Sequence, residues 1–133
     1  MILSIDLNPS IDRRYFIHNF GIGKSYTAYD IQYIPGGSGL DIAKIVKSFN
    51  EPILTTGFLG GRNGEYILEI LNNMNIKNKF VFIEEETRTC TKILTDYGLE
   101  TEISERPPYL SNDEMVEFYE LYRELIKDVD IIC

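Results

Sequence analysis

Three groups of residues have side chains or backbone suited to binding a small polar anion. Asp12 follows an Asn-Pro turn after an apolar strand, where α/β sheets present ligand-binding side chains. Arg88, between two threonines, offers a planar guanidinium that pairs well with a phosphate. A glycine-rich loop lets backbone approach a ligand and aims helix amides at it; it consists of Gly36, Gly37, Ser38 and Gly39. Residue type and position therefore indicate a ligand site with a phosphate-binding component.

Three other motifs do not support a binding or catalytic site. Gly23-Lys24-Ser25 is the ending of a Walker A loop, but His18 stands where the first glycine is needed and a strand-like composition follows, so we interpret it as a hairpin loop. A dinucleotide-binding G-x-G-x-x-G is absent because Ile42 occupies the third glycine position. His18 has no Asp or Ser partner at catalytic spacing and is interpreted as structural or exposed.

Composition narrows the class of protein. Among 133 residues, 13 Lys and Arg stand against 21 Asp and Glu, which gives a net charge of −8. Such a surface repels nucleic-acid phosphates, so we expect no nucleic-acid partner. A hydrophobic content of 44% supports one globular domain. No apolar stretch approaches the length of a membrane span and no leader-like segment follows Met1, so we expect a cytoplasmic protein without a membrane partner.

Two cysteines and one histidine leave little basis for a metal site. Cys90 and Cys133 are far apart in sequence and form no CxxC motif. We therefore predict two reduced thiols, no disulfide and no metal-binding residues.

Hydrophobic periodicity predicts strands alternating with helices. We expect main-sheet strands at 1–7, 53–59 and 79–84, with helices after the glycine loops at 36–39 and 60–64. Further short strands are expected to form two antiparallel pairs outside the main sheet, at 14–18 with 25–34 and at 89–95 with 99–104. The sequence thus predicts an α/β fold with a second, smaller sheet.

The last third of the chain predicts one helix and one strand. Ser111 and Glu114 form a capping box ahead of a helical stripe of apolar side chains, which comprises Met115, Phe118, Tyr119, Tyr122, Leu125 and Ile126. Residues 129–133 are typical of a buried parallel strand. We expect the sequence to be truncated there, because such a strand normally leads into a functional loop and a covering helix.

Four blocks of sequence, in this order and spacing, resemble the amino-terminal part of the PfkB (ribokinase-like) carbohydrate kinases. They are ILSIDLNPSIDRRY, PGGSGLDIAKIVKSFNEP, TTGFLGGRNGEYI and ETRTCTKIL. The segment LETEISERPPYLSNDEM extends the likeness toward the 1-phosphofructokinase branch. At position 90, the cysteine Cys90 replaces the Asn common in that branch and is similar to the residue of the tagatose-6-phosphate kinases, a neighbouring branch. The resemblance covers essentially all 133 residues.

This resemblance implies a three-layer α/β domain of which residues 1–133 are the amino-terminal part, with a β-sheet lid at about 14–34 and 89–104. The lid often forms a homodimer contact in the family. The implied reaction of an intact member is transfer of the γ-phosphoryl of ATP, with Mg²⁺, to fructose 1-phosphate or tagatose 6-phosphate. The implied roles are sugar-hydroxyl binding by Asp12, lining of the sugar site by the glycine loop, and phosphate binding by Arg88.

The sequence also departs from the family. Ser38 and Asp41 stand where Lys and Asn are usual, and both changes make the site less favourable for an anion. No residue matches the family's catalytic base or nucleotide site, which lie in its carboxyl-terminal part. We therefore expect the 133-residue chain to be catalytically inactive. Two alternatives stay open: a non-catalytic sugar-phosphate-binding fragment and an inert truncated remnant.

Overall fold

A computed structural model describes all residues from 1 to 133. Its helices and strands are, in chain order, β1 (Ile2–Asp6), β2 (Ser10–Ile17), β3 (Asp30–Gly36), α1 (Ser38–Ser48), β4 (Ile53–Gly60), α2 (Gly61–Asn73), β5 (Lys77–Ile83), β6 (Arg88–Thr95), β7 (Glu100–Ser104), α3 (Asn112–Leu125), a 3₁₀ turn (Ile126–Asp128) and β8 (Ile131–Ile132). None of the helices is both long enough and apolar enough to cross a membrane.

The first sheet is fully parallel and has the strand order β5-β4-β1-β8. Helices cover both of its faces. On one face α1 and α2 pack over a cluster that includes Leu40, Leu59 and Ile67. On the other face, Phe118 and Leu121 of α3 pack against a cluster around Phe58 and Val81, because alternate residues of a strand point to opposite faces. Three layers result, and the predicted α/β class is confirmed.

The second sheet has the order β3-β2-β6-β7 and mixes two kinds of pairing. Its central pair, β2 with β6, is parallel, while β3 and β7 flank it antiparallel. The bounds predicted for the first two of these strands are wrong. The ladder already begins at Ser10, opposite Gly36, instead of at residue 14, because the turn at Pro9 occupies so few residues. The next strand begins at Asp30 instead of residue 25.

Two burial predictions for the last third of the chain are also wrong. Ile131 and Ile132 of β8 are exposed, because β8 pairs with β1 at the edge of the sheet and no helix covers it. In α3 the capping box is present as predicted. The buried face of that helix is rotated, however, so that Tyr119 and Met115 lie in solvent while Leu121 packs inward.

The two sheets meet where the candidate residues lie. β1 passes through a short turn directly into β2, and β3 passes through Gly37 directly into α1. The end of β1, the starts of β2 and α1, and the end of β3 are thereby gathered at one junction. Arg88 begins β6 beside Ser10 of β2, so β6 also starts there.

Candidate functional site

Asp12 lies inside the second sheet, not at the end of a main-sheet strand as its sequence position suggested. It is the third residue of β2 and its side chain is only 10% exposed. One carboxylate oxygen, Oδ1, accepts a hydrogen bond of 2.8 Å from Ser10 Oγ. The other oxygen, Oδ2, is 2.9 Å from Lys92 Nζ of β6. Asp12 is therefore a buried, ion-paired carboxylate that is held at both oxygens.

The carboxyl end of β1 is occupied instead by Asp6, which the sequence analysis missed. This carboxylate is buried and accepts hydrogen bonds from the backbone N–H groups of Leu40 (3.1 Å) and Asn8 (3.3 Å). α1 has no side-chain cap of its own at Gly37, so Asp6 satisfies one of its free amides from another strand. The only signal in the sequence was an acidic residue at the end of an apolar strand.

Burial raises the pKa of the Asp6 carboxyl above its ordinary value of 3.8. The backbone hydrogen bonds from Leu40 and Asn8 lower this pKa and offset part of the rise. The folded state thus holds this proton more tightly than the unfolded chain does. Stability contributed by the protonated group is present below 3.8 and is lost as pH rises through the raised pKa.

We therefore expect Asp6→Asn to change the pH dependence of folding. Asparagine keeps an oxygen for the Leu40 amide but does not ionise, so the stability difference between variant and unaltered chain should grow in favour of the variant as pH rises above 3.8. Urea unfolding of both proteins at a series of pH values measures this difference directly. A difference that is constant across the series would contradict the burial-driven shift.

The glycine-rich loop is packed against these two carboxylates. A Cβ at Gly36 would overlap the Asp12 carboxylate, and one at Gly37 would overlap that of Asp6. Gly37 also has φ of 127°, which a side chain rarely tolerates. A Cβ at Gly39 would overlap the carbonyl oxygen of Ile5. Close packing explains all three glycines, and the helix terminus predicted to face a ligand is capped by Asp6.

Ser38 and Asp41 lie on the first turn of α1 and are exposed. Asp41 Oδ1 forms an ion pair of 2.7 Å with Lys44 Nζ, which also donates to the carbonyl oxygen of Pro35 at 2.8 Å. The negative charge introduced at this position is thus partly balanced by a neighbouring lysine of the same helix.

Arg88 is on the same face of the second sheet as Asp12, since its ladder partner Ser10 and Asp12 are two residues apart on β2. Its Nη2 donates to the carbonyl oxygen of Asn8 at 3.3 Å, and its Nε is buried without a partner. Arg88 takes part in none of the ion pairs of the structure. Its charge is therefore available to an anionic ligand.

An open cavity of about 470 Å³ adjoins Arg88, within the size range of small-molecule sites. Its other lining residues are Glu85, Glu86, Glu105, Arg106 and Pro108. Arg106 is engaged by Glu85 at 3.2 Å. Arg88 thus supplies the unpaired positive charge of this cavity.

The glycine-loop helices offer few free groups to a nucleotide. One amide of each helix already donates to a carboxylate, Leu40 N to Asp6 at 3.1 Å and Asn63 N to Glu86 at 2.6 Å. No group of three His, Cys, Asp or Glu side chains is arranged to hold a metal ion. Binding of ATP and Mg²⁺ was predicted for the intact enzyme, and it stays a prediction.

Solved structures share this arrangement of elements. The chain matches a Thermotoga maritima protein described as "Possible 1-phosphofructokinase" with a TM-score of 0.92 and 29% identity, over 99% of this chain and 43% of that one. It matches Escherichia coli phosphofructokinase-2, solved with fructose-6-phosphate, with a TM-score of 0.87 and 20% identity, over 92% of this chain and 41% of the other. The chain thus spans about two-fifths of the length of these relatives.

A family model extends the likeness from structure to sequence. The model of the pfkB family carbohydrate kinases matches residues 2–133, nearly the whole chain. This agrees with the resemblance carried by the four sequence blocks. The chain therefore belongs to the pfkB family of carbohydrate kinases.

Proposed function

We propose that this chain forms the acceptor-binding part of a sugar-phosphate kinase, in which the γ-phosphoryl of Mg-ATP is transferred to a hydroxyl of fructose 1-phosphate. The observation that carries the proposal is the shared face of the second sheet. A buried carboxylate at Asp12, the glycine at Gly36 packed against it and a guanidinium at Arg88 outside any ion pair lie together on it.

These groups suit the two ends of a phosphorylated sugar. Each Asp12 oxygen has one protein partner and one lone pair left, so the carboxylate can accept hydrogen bonds from two vicinal hydroxyls. The Arg88 guanidinium can pair with the phosphate through charge-assisted hydrogen bonds. Phosphoryl transfer depends chiefly on positioning the reactants and neutralising charge. In this proposal the chain positions the acceptor sugar.

The choice of sugar rests on likeness more than on geometry. A relative with 29% identity is described as "Possible 1-phosphofructokinase", and we extend that activity to this protein as a proposal. Tagatose 6-phosphate is the alternative, favoured by Cys90, which is buried opposite Asp12 in the ladder. The reaction is proposed to be cytoplasmic, in keeping with the free thiols of Cys90 and Cys133.

An intact kinase containing these residues is expected to release ADP in a coupled assay with fructose 1-phosphate or tagatose 6-phosphate. Fructose 6-phosphate and ribose are the comparison substrates. The 133-residue chain assayed alongside is expected to give no turnover, since none of its residues matches the family's catalytic base or nucleotide site. Turnover of ribose alone would contradict the proposed substrate class, and turnover by the short chain would contradict its proposed role.

The two alternatives differ from each other in binding. Calorimetry of the 133-residue chain with fructose 1-phosphate should give saturable heat if the chain is a non-catalytic sugar-phosphate binder. An inert remnant gives none. Arg88, which takes part in no ion pair, and the cavity of about 470 Å³ beside it favour binding.

We also propose a homodimer that forms through the second sheet, which would act as the lid. The face of this sheet opposite Asp12 exposes apolar side chains, including Ile31, Tyr33 and Ile103. It also borders an apolar cavity of about 260 Å³ between the sheet and the segment that carries Phe20 and Tyr26. An E. coli phosphofructokinase-2 of the same fold has been solved in a tetrameric form. Exposed apolar sheet surface of this kind favours association with a second copy.

A further inference from the structure

The ion pair between Lys92 and Asp12 lies at the centre of the candidate site. Lys92 belongs to β6 and lies two residues after Cys90, the ladder partner of Asp12. The side chains of Lys92 and Asp12 therefore project from the same face of the sheet. Lys92 Nζ is 2.9 Å from Asp12 Oδ2, and the lysine side chain is only 20% exposed. This is the most buried pair among the side-chain ion pairs of the molecule.

The first consequence of this pair is orientation. Ser10 holds Oδ1 of the Asp12 carboxylate and Lys92 holds Oδ2. On its third side the carboxylate packs against Gly36, where a Cβ would overlap it. A carboxylate fixed at both oxygens presents its remaining lone pairs in one direction, so less conformational freedom is lost when hydroxyls bind.

The second consequence is charge balance. A buried carboxylate without a counterion would repel the phosphate of a sugar phosphate, since charges interact strongly where water is excluded. Lys92 supplies the one cation within 4 Å of Asp12, and the same ammonium lies 3.7 Å from Oε2 of Glu102. Its hydrogen bond to Asp12 is the main cause that raises the pKa of Lys92 above 10.5, so the ammonium stays charged at neutral pH.

We propose that Lys92 is a positioning residue for the acceptor sugar: it fixes the Asp12 carboxylate toward the vicinal hydroxyls and balances its charge against the sugar's phosphate. The inference rests on the proposed function and assigns it a further residue. It requires that Lys92 act through Asp12, without touching the sugar phosphate, and that its charge matter more for a phosphorylated ligand than for a neutral one.

Calorimetric titration of the 133-residue chain with fructose 1-phosphate tests this role. Lys92→Met keeps length and apolar stem but removes the ammonium, and we expect its dissociation constant to rise about tenfold or more. Lys92→Arg restores the charge and should bring the constant back to within about threefold of the unaltered value. The matched control is Lys79→Met, which removes an ammonium from an exposed pair with Glu124 and should leave binding unchanged.

A double-mutant cycle separates positioning from direct contact. If Lys92 acts through the carboxylate, then Lys92→Met should weaken binding little further once Asp12→Asn has been made. The cycle also guards against a folding defect, because Asp12→Asn removes the charge that Lys92→Met would leave buried and unpaired. Thermal unfolding of all variants shows which are folded at the temperature of the titration.

The possible outcomes are distinct. No saturable heat from the unaltered chain with either fructose 1-phosphate or tagatose 6-phosphate would overturn the proposed function and this inference together. Binding by the unaltered chain and equal binding by folded Lys92→Met, or by folded Lys92→Gln if the methionine variant does not fold, overturns the inference alone. A large further loss from Lys92→Met in the Asp12→Asn background would show direct contact with the ligand and overturn the positioning role.

Discussion

A chain carrying Gly57→Ala is expected to lose a large part of its folding stability. Gly57 lies in β4 opposite Asp6 of β1, with φ of 150°. A Cβ at this position would overlap the backbone carbonyl of Asp6. Backbone within a paired strand cannot move aside as a flexible side chain can, so β1 and β4 would have to separate. We expect a cost above about 3 kcal/mol, a large part of the stability of a typical domain.

Gly23→Ala is the matched control for this prediction. Gly23 also has a positive φ, 77°, but a Cβ there would meet no atom within 4 Å, so this variant carries only the backbone cost of about 1–2 kcal/mol. Urea unfolding of both variants compares the two costs. Equal destabilisation would show that the overlap with Asp6 contributes nothing, which the structure does not allow.

Arg88→Ala is expected to weaken binding of fructose 1-phosphate about tenfold or more. The lost interaction is a charge-assisted contact to phosphate worth roughly 1.5–3 kcal/mol. Within the protein the guanidinium has only the bond to the Asn8 carbonyl, so folding should change little. Calorimetry on the 133-residue chain gives the dissociation constant, and the Michaelis constant of an intact kinase should rise in parallel. The control is Arg123→Ala, which removes a guanidinium from α3, a helix that packs on the first sheet.

Asp12→Asn should change both turnover and binding, whereas Arg88→Ala should change mainly binding. Asp12→Asn keeps the shape of the side chain but removes the carboxylate, so it should lower turnover of an intact kinase as well as weaken sugar binding. Unchanged binding by Arg88→Ala would refute its assignment to the phosphate. Arg13 could not replace it, because its guanidinium lies over the Tyr33 ring on the opposite face of the sheet.

Local signals were strong enough to predict most elements. The capping box at Ser111 placed the start of α3 correctly, because a hydrogen bond within four residues defines it. The start of β2 could not be read in the same way. Strand pairing between Ser10 and Gly36 is set by partners far along the chain, and the composition of residues 10–13 does not show it.

The candidate site divides in the same manner. Asp12, Gly36 and Arg88 were singled out by residue type, and the structure brings them to one sheet face. Lys92 was not assigned to the sugar site from the sequence, because only the parallel ladder of β2 with β6 brings it to Asp12. Asp6 was missed because its partner amide, Leu40, comes from another element.

The parallel pairing of β2 with β6 has a consequence for the order of folding. Between these neighbours the chain builds β3, α1, β4, α2 and β5, which include two of the four strands of the first sheet and two of the helices that cover it. Closing so long a loop carries a large entropic cost unless the intervening segment is already compact. We therefore expect the centre of the second sheet to form late, after β4 and β5 have paired with each other. Pairing across such a sequence separation slows folding, and we expect the Asp12–Lys92 pair, which spans these two strands, to form only at that stage.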